Sequence, residues 1–253
     1  MQRILSLTRK CIAEYKMIKN GDKIAVGVSG GKDSVLMLAA LSQLRRFYTE
    51  SFDIKAITIN SDPSKNDYSP IKNFCDEIDV EYSVVDSNIF EIIFDIRKEE
   101  NPCALCAKMR RGMLHDEALR LGCNKIALGH NFNDAVETFL MSQIFEGRIS
   151  CFSPVTYLDR KGLWQIRPFL YADEYLIKRI TKKLDLPIVK NPCPANGNTK
   201  RQEIKEFVAK MNSQYPGYST KIFNAMQRYP LAGWEKLDTD PRRSNKNIAN
   251  AED

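Results

Sequence analysis

Residues 24–41 read IAVGVSGGKDSVLMLAAL, and this stretch decides the fold class. It opens with 24–28, an apolar and β-branched run typical of a buried strand, and closes with 35–41, which has the character of a buried helix. The turn between them contains the adjacent glycines Gly30 and Gly31. A strand that passes through a tight turn directly into a helix is the opening unit of an α/β fold.

The alternation of strands and helices continues along the chain and predicts a mostly parallel sheet with helices on both faces. Strands are predicted at 54–59, 80–85 and 125–128, helices at 69–78, 108–121 and 133–145, and a hairpin within 154–169. Asp173 is predicted to cap a helix that ends before Pro187, and Asn133 to cap the helix that it opens. The sheet region is expected to finish near 188–189.

The C-terminal part of the chain is predicted to form a helical unit separate from the main domain. Apolar residues at helical spacing after Thr199, and again over 220–227, predict a small helical extension. We therefore divide the chain into a main domain over 1–190, an extension over 191–235 and a polar tail over 236–253 that is expected to be disordered.

The amino-acid composition limits the location and the classes of function that are expected for this protein. The 253 residues carry a net charge of +6, and no run approaches the ~18 apolar residues of a membrane span, so a cytoplasmic protein without a membrane partner is expected. Seven cysteines, an odd number, favour reduced thiols or metal ligands over a disulfide framework. Basic pairs could bind nucleic-acid phosphates, although such pairs are more often solvated helix faces; they are Arg110-Arg111, Lys178-Arg179, Lys182-Lys183, Lys200-Arg201 and Arg242-Arg243.

The turn from Ser29 to Ser34 predicts a phosphate-binding site. Free backbone N–H groups at the start of a helix favour an anion, and the two glycines let its oxygens approach. A Walker A loop is excluded, because Lys32 is followed by Asp33 rather than by Ser or Thr and no glycine precedes Gly31 by five residues.

Three cysteines are interpreted as metal ligands. Cys103 and Cys106 form a C-x-x-C, which by itself fits a zinc half-site, a redox pair, an iron–sulfur half-site or two incidental thiols. Cys193 lies in a stiff turn between Pro192 and Pro194, whereas Cys11, Cys75, Cys123 and Cys151 have apolar neighbours. An iron–sulfur cubane on three thiolates would leave one iron open for an exogenous ligand.

The combined motifs resemble a known family. The Ser-Gly-Gly-x-Asp-Ser pattern at 29–34 resembles the PP-loop of the N-type ATP pyrophosphatases, which transfer AMP from ATP to a substrate oxygen. Together with 103–112, 127–138, 166–168 and 192–193, it resembles the tRNA 2-thiocytidine synthetases over about residues 1–230. The resemblance implies a HUP-type nucleotide-binding fold and sulfur transfer to an anticodon-loop cytidine of tRNA.

The resemblance also implies cofactors, partners and residue roles. ATP, Mg²⁺ and a [4Fe-4S] cluster are implied, with tRNA as partner, a cysteine desulfurase or free sulfide as sulfur donor, and a homodimer. Pyrophosphate is assigned to the loop residues Ser29, Gly30, Gly31 and Ser34, with Lys32 neutralising charge. Asp33 is assigned to Mg²⁺ or to capping of its helix. The resemblance assigns binding of the cluster to Cys103, Cys106 and Cys193. It assigns nucleotide binding to Asn60, Gly129, His130 and Asp134. Substrate binding is assigned to Arg110, Arg111, Arg167, Lys200 and Arg201.

Two departures from the family pattern and several rival functions stay open. Asn133 replaces an Asp, which would weaken metal binding, and Asn196 replaces a second cysteine, which puts a persulfide relay in doubt. Rival enzymes are lysidine synthetase, 2-thiouridine synthetase and a cluster-dependent desulfidase acting on a small thiolated molecule. A non-enzymatic rival is an iron–sulfur nucleotide sensor.

Overall fold

A computed structural model of the protein describes residues 1–99, 102–189 and 200–236. The helices are α1 Gln2–Glu14, α2 Lys32–Leu44, α3 Ser69–Glu77, a π-helix Glu91–Ile96, α4 Pro102–Arg120, α5 Phe132–Glu146, α6 Glu174–Lys183, α7 Lys200–Gln214 and α8 Tyr218–Arg228. The strands are β1 Asp22–Gly27, β2 Phe52–Asn60, β3 Glu81–Asp86, β4 Lys125–Ala127, β5 Val155–Leu158 and β6 Leu163–Ile166.

The strands form one six-stranded sheet in the order β3-β2-β1-β4-β6-β5. All neighbours are parallel except β5, which is antiparallel to β6. From β1 the chain builds outward through β2 and β3 on one side, and through β4 and β6 on the other. Such a reversal of strand order leaves a crevice at the carboxyl ends of the strands, where α/β proteins bind ligands. The predicted parallel α/β fold is confirmed.

The two faces of the sheet are covered unequally. One face lies under α1, α2, α5 and α6, where a continuous core includes Ile24, Leu38 and Ile177. The opposite face is covered by α4 and holds a much smaller cluster that includes Leu114 and Ile126. The crevice therefore borders a thick apolar core on one side and a thin one on the other.

Several predicted elements are confirmed with small shifts of their ends. The hairpin is β5–β6, and the Asp173 carboxylate caps α6 by accepting the Leu176 N–H at 2.7 Å. Helix α4 begins at Pro102, before the predicted start at 108, so the C-x-x-C lies on a helix. Neither α1 nor the π-helix was predicted.

Two expectations are wrong. Asn131, rather than Asn133, caps α5: its side chain accepts the N–H groups of Asn133 and Asp134 at 2.9 and 3.1 Å. The last described strand ends at Ile166, and the Val189 N–H instead donates to the Gly30 carbonyl at 3.0 Å. The tail over 237–253 and the predicted boundary at 190–191 lie outside the described residues.

No helix in the described ranges is both long enough and apolar enough to span a bilayer.

Candidate active site

A cavity of about 540 Å³ lies at the crevice between β1 and β4. Its volume is in the range of small-molecule sites. The lining comes from the loop after β1, the end of β2, helix α4, the loop after β4, the segment before β5 and the end of β6. Its residues include Ser29, Asp33, Ser34, Ile57, Ile59, Ala107, Arg110, Arg111, Leu114, Leu128, Gly129, His130, Phe152, Gln165 and Arg167. The fold thus brings eight of the predicted site residues to one place: Ser29, Asp33, Ser34, Arg110, Arg111, Gly129, His130 and Arg167.

The phosphate loop is held in shape by its own serines. The Ser34 hydroxyl donates to the Gly31 carbonyl at 3.0 Å and accepts the Ser29 N–H at 3.1 Å. Gly30 has a φ of +85°, and a Cβ there would lie 3.0 Å from the Cβ of Val189. Gly31 occupies the N-cap position of α2 and provides no side-chain cap. The first N–H groups of α2 are therefore available to an anion beside the cavity.

Asp33 does not cap its helix, so that alternative is wrong. Its carboxylate instead accepts the Asn131 side-chain N–H at 2.9 Å and the Lys32 ammonium at 3.0 Å. Gly129 packs directly behind it, since a Cβ at this glycine would lie 3.1 Å from the Ser34 nitrogen. The loop after β4 therefore fixes the carboxylate at the cavity edge.

Lys32 lies on the far side of the loop. Its ammonium pairs with Asp33 and with Glu174, each at 3.0 Å. Burial opposes the charge, but the two carboxylates outweigh burial and raise the pKa of Lys32 above its ordinary value. The side chain lines a separate groove beside α6 rather than the cavity.

The cavity wall opposite the loop is strongly basic. Arg110 and Arg111 project from α4, and Arg167 follows β6. Arg167 is only 6% exposed, and within the described residues no carboxylate pairs with it. Burial lowers the pKa of its guanidinium to about 10. The Nε of Arg110 is also buried and lacks a hydrogen-bond partner in the part of the chain described. Buried cations without counter-charges favour an anionic ligand.

His130 is a neutral donor that faces the cavity. Its Nδ1 accepts the Nε–H of Arg167 at 3.2 Å, which places the imidazole proton on Nε2. Burial, and then the charges of Arg167 and Arg201, lower the pKa of His130 to about 3. The ring stacks on Phe152 with centroids 4.8 Å apart. The sequence predicted His130 at the nucleotide site but gave no indication of its charge state.

Four other predicted residues lie away from the cavity lining: Asn60, Asp134, Lys200 and Arg201. Asp134 completes the capping box of α5 by accepting the Asn131 N–H at 2.9 Å, and it also binds Arg201 at 3.1 Å. The Lys200 ammonium lies 5.0 Å from the ring centroid of Phe145. Asn60 is buried; its side chain donates to Asp86 and accepts from Asn66. These groups support the elements around the cavity.

The C-x-x-C lies on the first two turns of α4. Cys103 is exposed and Cys106 is half-buried; residues three apart share one face of a helix. Ala107, which follows Cys106, lines the cavity. In the described ranges no three candidate ligands group around a metal position, and Cys193 lies outside those ranges.

The remaining described cysteines fit their predicted apolar role. Cys11, Cys75 and Cys123 are buried, and Cys151 is half-buried. Burial raises the pKa of Cys75 and of Cys151 to about 12. Thiols with raised pKa values are poor metal ligands at neutral pH.

Asn133 has a structural contact that accounts for its position. Its side-chain oxygen accepts the Glu174 N–H at 2.9 Å and so links α5 to the start of α6. The loss of metal binding expected from the Asp-to-Asn departure stays a prediction. Asn196 lies outside the described residues.

Sequence reasoning missed Asn131, Phe152 and Gln165. Asn131 had a detectable signal, since Asn followed three residues later by Asp134 fits a capping box. Gln165 and Phe152 had none, because the β5–β6 hairpin and the segment before it bring them to the cavity.

The chain was compared with known proteins. Residues 3–212 match the PP-loop domain family. The tRNA-cytidine(32) 2-sulfurtransferase of Dechloromonas aromatica is 33% identical over 222 residues, 87% of this chain and 77% of the relative. The enzyme of that name from Aliivibrio salmonicida is 35% identical over 228 residues, 89% of this chain and 74% of the relative.

A solved structure is also similar. The U34-tRNA thiolase NcsA from Methanococcus maripaludis, determined with its [4Fe-4S] cluster, has a TM-score of 0.75 at 25% identity. The match covers 90% of this chain and 78% of that one. Fold, loop and sequence agree, and the chain belongs to the PP-loop domain family and, within it, to the family of the tRNA-cytidine(32) 2-sulfurtransferases.

Proposed function

We propose that this protein is an ATP-dependent tRNA sulfurtransferase that replaces the C2 oxygen of the cytidine at position 32 with sulfur. One observation carries the proposal: a single cavity joins a phosphate loop, a wall of three arginines of which Arg167 is buried, and the helix that bears the C-x-x-C. The names of the two relatives specify tRNA and the cytidine. The thiolase NcsA provides the precedent for a [4Fe-4S] cluster in this fold.

ATP fits the cavity by shape and charge. The N–H groups at the start of α2 and the hydroxyls of Ser29 and Ser34 suit the triphosphate. Ile57, Ile59 and Leu128 offer an apolar surface of the kind that binds a flat base. Asp33 would hold Mg²⁺, since carboxylates are preferred ligands of this ion and Asn131 already orients the group.

The first chemical step is adenylation. The C2 oxygen of the cytidine attacks the α-phosphorus, the bond from that phosphorus to the bridging oxygen breaks, and pyrophosphate leaves with the electron pair. Arg167 and the Nε2–H of His130 line the cavity and are proposed to stabilise charge on the α-phosphate. Lys32 is proposed to contribute positive charge to the departing pyrophosphate from behind the loop, since its side chain does not line the cavity. The step converts a poor leaving oxygen into a phosphate ester that leaves readily.

The second step replaces the ester with sulfur. Hydrosulfide attacks C2, the bond from carbon to the ester oxygen breaks, AMP leaves, and the proton passes to solvent. Arg110 and Arg111 flank this position and are proposed to hold the phosphates of the RNA loop and of AMP. With sulfide as nucleophile the exchange is redox-neutral.

A [4Fe-4S] cluster would be held by Cys103, Cys106 and Cys193. Thiolates are the usual ligands of such clusters. When bound, the cluster supplies an iron with an open position for inorganic sulfur. Cys103, at the start of α4, is exposed, so a cluster held there would be reachable from solvent.

The partners follow from the same proposal. They are tRNA, a sulfur donor that is either a cysteine desulfurase or free sulfide, and a second copy of the chain in a homodimer. Lys200 and Arg201, at the start of α7, are proposed as further tRNA contacts.

The test is reconstitution under anaerobic conditions with iron, sulfide, ATP, Mg²⁺ and a tRNA transcript that has cytidine at position 32. We expect 2-thiocytidine in the digested tRNA by mass spectrometry. Asp33→Asn is expected to lower product formation by at least ~100-fold and leave the cluster spectrum intact. Cys103→Ala is expected to lose the cluster and the product but to keep ATP binding, whereas the control Cys75→Ala retains all three.

Other outcomes identify the rivals. Lysine incorporated into the RNA would indicate a lysidine synthetase, and thiolated uridine a 2-thiouridine synthetase. Sulfide released from a thiolated small molecule without ATP would indicate a desulfidase. A protein that binds a cluster and ATP but releases no pyrophosphate would be an iron–sulfur nucleotide sensor. Full thiolation by Cys103→Ala would refute the assigned cluster site.

A further inference from the structure

Helix α6 carries a row of exposed cations that the proposed chemistry does not use. Lys178, Arg179, Lys182 and Lys183 are all exposed, and they repeat at the spacing of one helix face. Tyr175, one turn earlier on the same face, is 75% exposed. The guanidinium of Arg179 lies 6.0 Å from its ring centroid. The opposite face of α6 is buried against α2 through Leu176, Ile177 and Ile180.

The stability of α6 does not explain why these four cations share one face. Lys178 and Lys182 are four residues apart, as are Arg179 and Lys183, and like charges at that spacing destabilise a helix. Favourable interaction with the helix dipole extends only to the last turn, which contains Lys182 and Lys183. Within the described residues, none of the four cations pairs with a carboxylate. The charges are therefore maintained at a cost to the helix.

A groove of about 250 Å³ connects the row to the phosphate loop. Lys32, Lys178 and Lys182 line it, with Asp185 as the acidic member. Thr181 also lines it; this residue is 6% exposed, and its hydroxyl is buried without a hydrogen-bond partner in the described part of the chain. The Lys32 ammonium is paired with Asp33 and Glu174, whereas the ammonium groups of Lys178 and Lys182, beside the Thr181 hydroxyl, are suited to a phosphate oxygen.

We propose that the exposed face of α6, together with this groove, binds the sugar–phosphate backbone of the tRNA. The proposal rests on the proposed function and specifies where the RNA is gripped. Polyanionic backbones are bound by rows of cations with neighbouring hydroxyl donors, as in Lys178, Arg179, Lys182, Thr181 and Tyr175. Because Lys32 belongs to both the groove and the phosphate loop, RNA held here lies next to the site of adenylation.

The experiment compares two triple variants of the full chain. Lys178→Gln/Arg179→Gln/Lys182→Gln removes three cations from α6, and Arg3→Gln/Arg9→Gln/Lys72→Gln removes three exposed cations from α1 and α3. Binding of the tRNA transcript is measured by fluorescence anisotropy over a range of salt concentrations. ATP affinity and melting temperature are measured on the same samples.

We expect the α6 variant to bind tRNA on the order of 10- to 100-fold more weakly near physiological salt. We also expect its plot of log K against log salt to be shallower by about 2 to 3. Its ATP affinity should be unchanged, and its melting temperature should equal or exceed that of the wild type, since two repulsive pairs are removed. The α1/α3 variant should bind tRNA within about twofold of the wild type.

Each contrary outcome overturns the assignment. Normal tRNA binding by the α6 variant, or an equal loss in the α1/α3 variant, removes α6 as the docking face. A loss of ATP affinity in place of tRNA affinity assigns the groove to nucleotide phosphates. Failure of the wild type itself to bind the transcript refutes the proposed function rather than the choice of surface.

Discussion

The two faces of the sheet differ in what fills them. Under α2, the core includes Leu36, Leu38 and Leu41, which are all fully buried. Under α4, a small cluster around Ile126 gives way to the cavity and its arginines. The second face lacks the apolar side chains that would close it.

This difference shows how one sheet supports stability and function separately. The dense face fixes the strand order and the position of the phosphate loop. The thin face leaves space for a nucleotide and accepts the buried cation Arg167, which a well-packed apolar core would exclude. Substitutions on each face test whether the division holds.

The largest expected effect on stability is on the dense face. Leu38→Ala removes a fully buried side chain and is expected to lower the free energy of unfolding by about 2–5 kcal/mol. Leu114→Ala, at an 8% exposed position that already borders the cavity, is expected to cost only about 1–2 kcal/mol and to weaken ATP binding several-fold. Urea denaturation measures the change in stability of each variant, and nucleotide titration measures its ATP affinity. Equal destabilisation would contradict the comparison.

On the thin face, Arg167→Met is expected to lower the rate of adenylation about 100-fold. This corresponds to a loss of about 2.7 kcal/mol of transition-state stabilisation. Stability should change by only about 1 kcal/mol, because the desolvated charge and its hydrogen bonds are lost together. Isotope exchange between pyrophosphate and ATP measures the first effect and thermal denaturation the second.

The same variant has a spectroscopic control. Without the neighbouring guanidinium, the pKa of His130 should rise from about 3 towards its ordinary value, which NMR titration reports. Arg167→Lys should not restore activity, because one ammonium cannot reproduce the planar contacts to His130 and Thr156. Full activity in Arg167→Met would assign the arginine to folding alone.

The smallest expected effect concerns Glu137, a carboxyl on α5 at the dense face. Burial, and then the charge of Asp134, raise its pKa to about 7, above the ordinary 4.5. The folded state therefore favours the protonated form, and this contribution to stability is lost as pH rises from 4.5 through 7.

Glu137→Gln is expected to raise the free energy of unfolding by about 1–2 kcal/mol at pH 8 and to have almost no effect at pH 4. The 3.8 Å contact of Glu137 with Arg201 keeps the gain modest. Denaturation at the two pH values measures it. A variant less stable than the wild type at pH 8 would show that the ion pair outweighs burial.

Much of the fold was predictable because its signals are local. Apolar runs, turn glycines and the Asp173 cap each act within a few residues, and the predicted β1–loop–α2 unit and β5–β6 hairpin are confirmed. The early start of α4 was missed because its first turns, PCALCAKM, mix half-buried with exposed positions and have no clear apolar periodicity. The strand expected near 188–189 failed because Val189 bonds to the phosphate loop instead.

The sequence by itself determined the α/β class, the phosphate loop and the cysteine pair, because periodicity, turn chemistry and motif spacing are properties of neighbouring residues. Only the tertiary structure decided which groups meet: Arg167 with His130, Asn131 with Asp33, and Lys32 with Glu174. These partners are brought together by the strand order and by helix packing. The charge states of the site depend on those contacts and on burial, which local sequence does not specify.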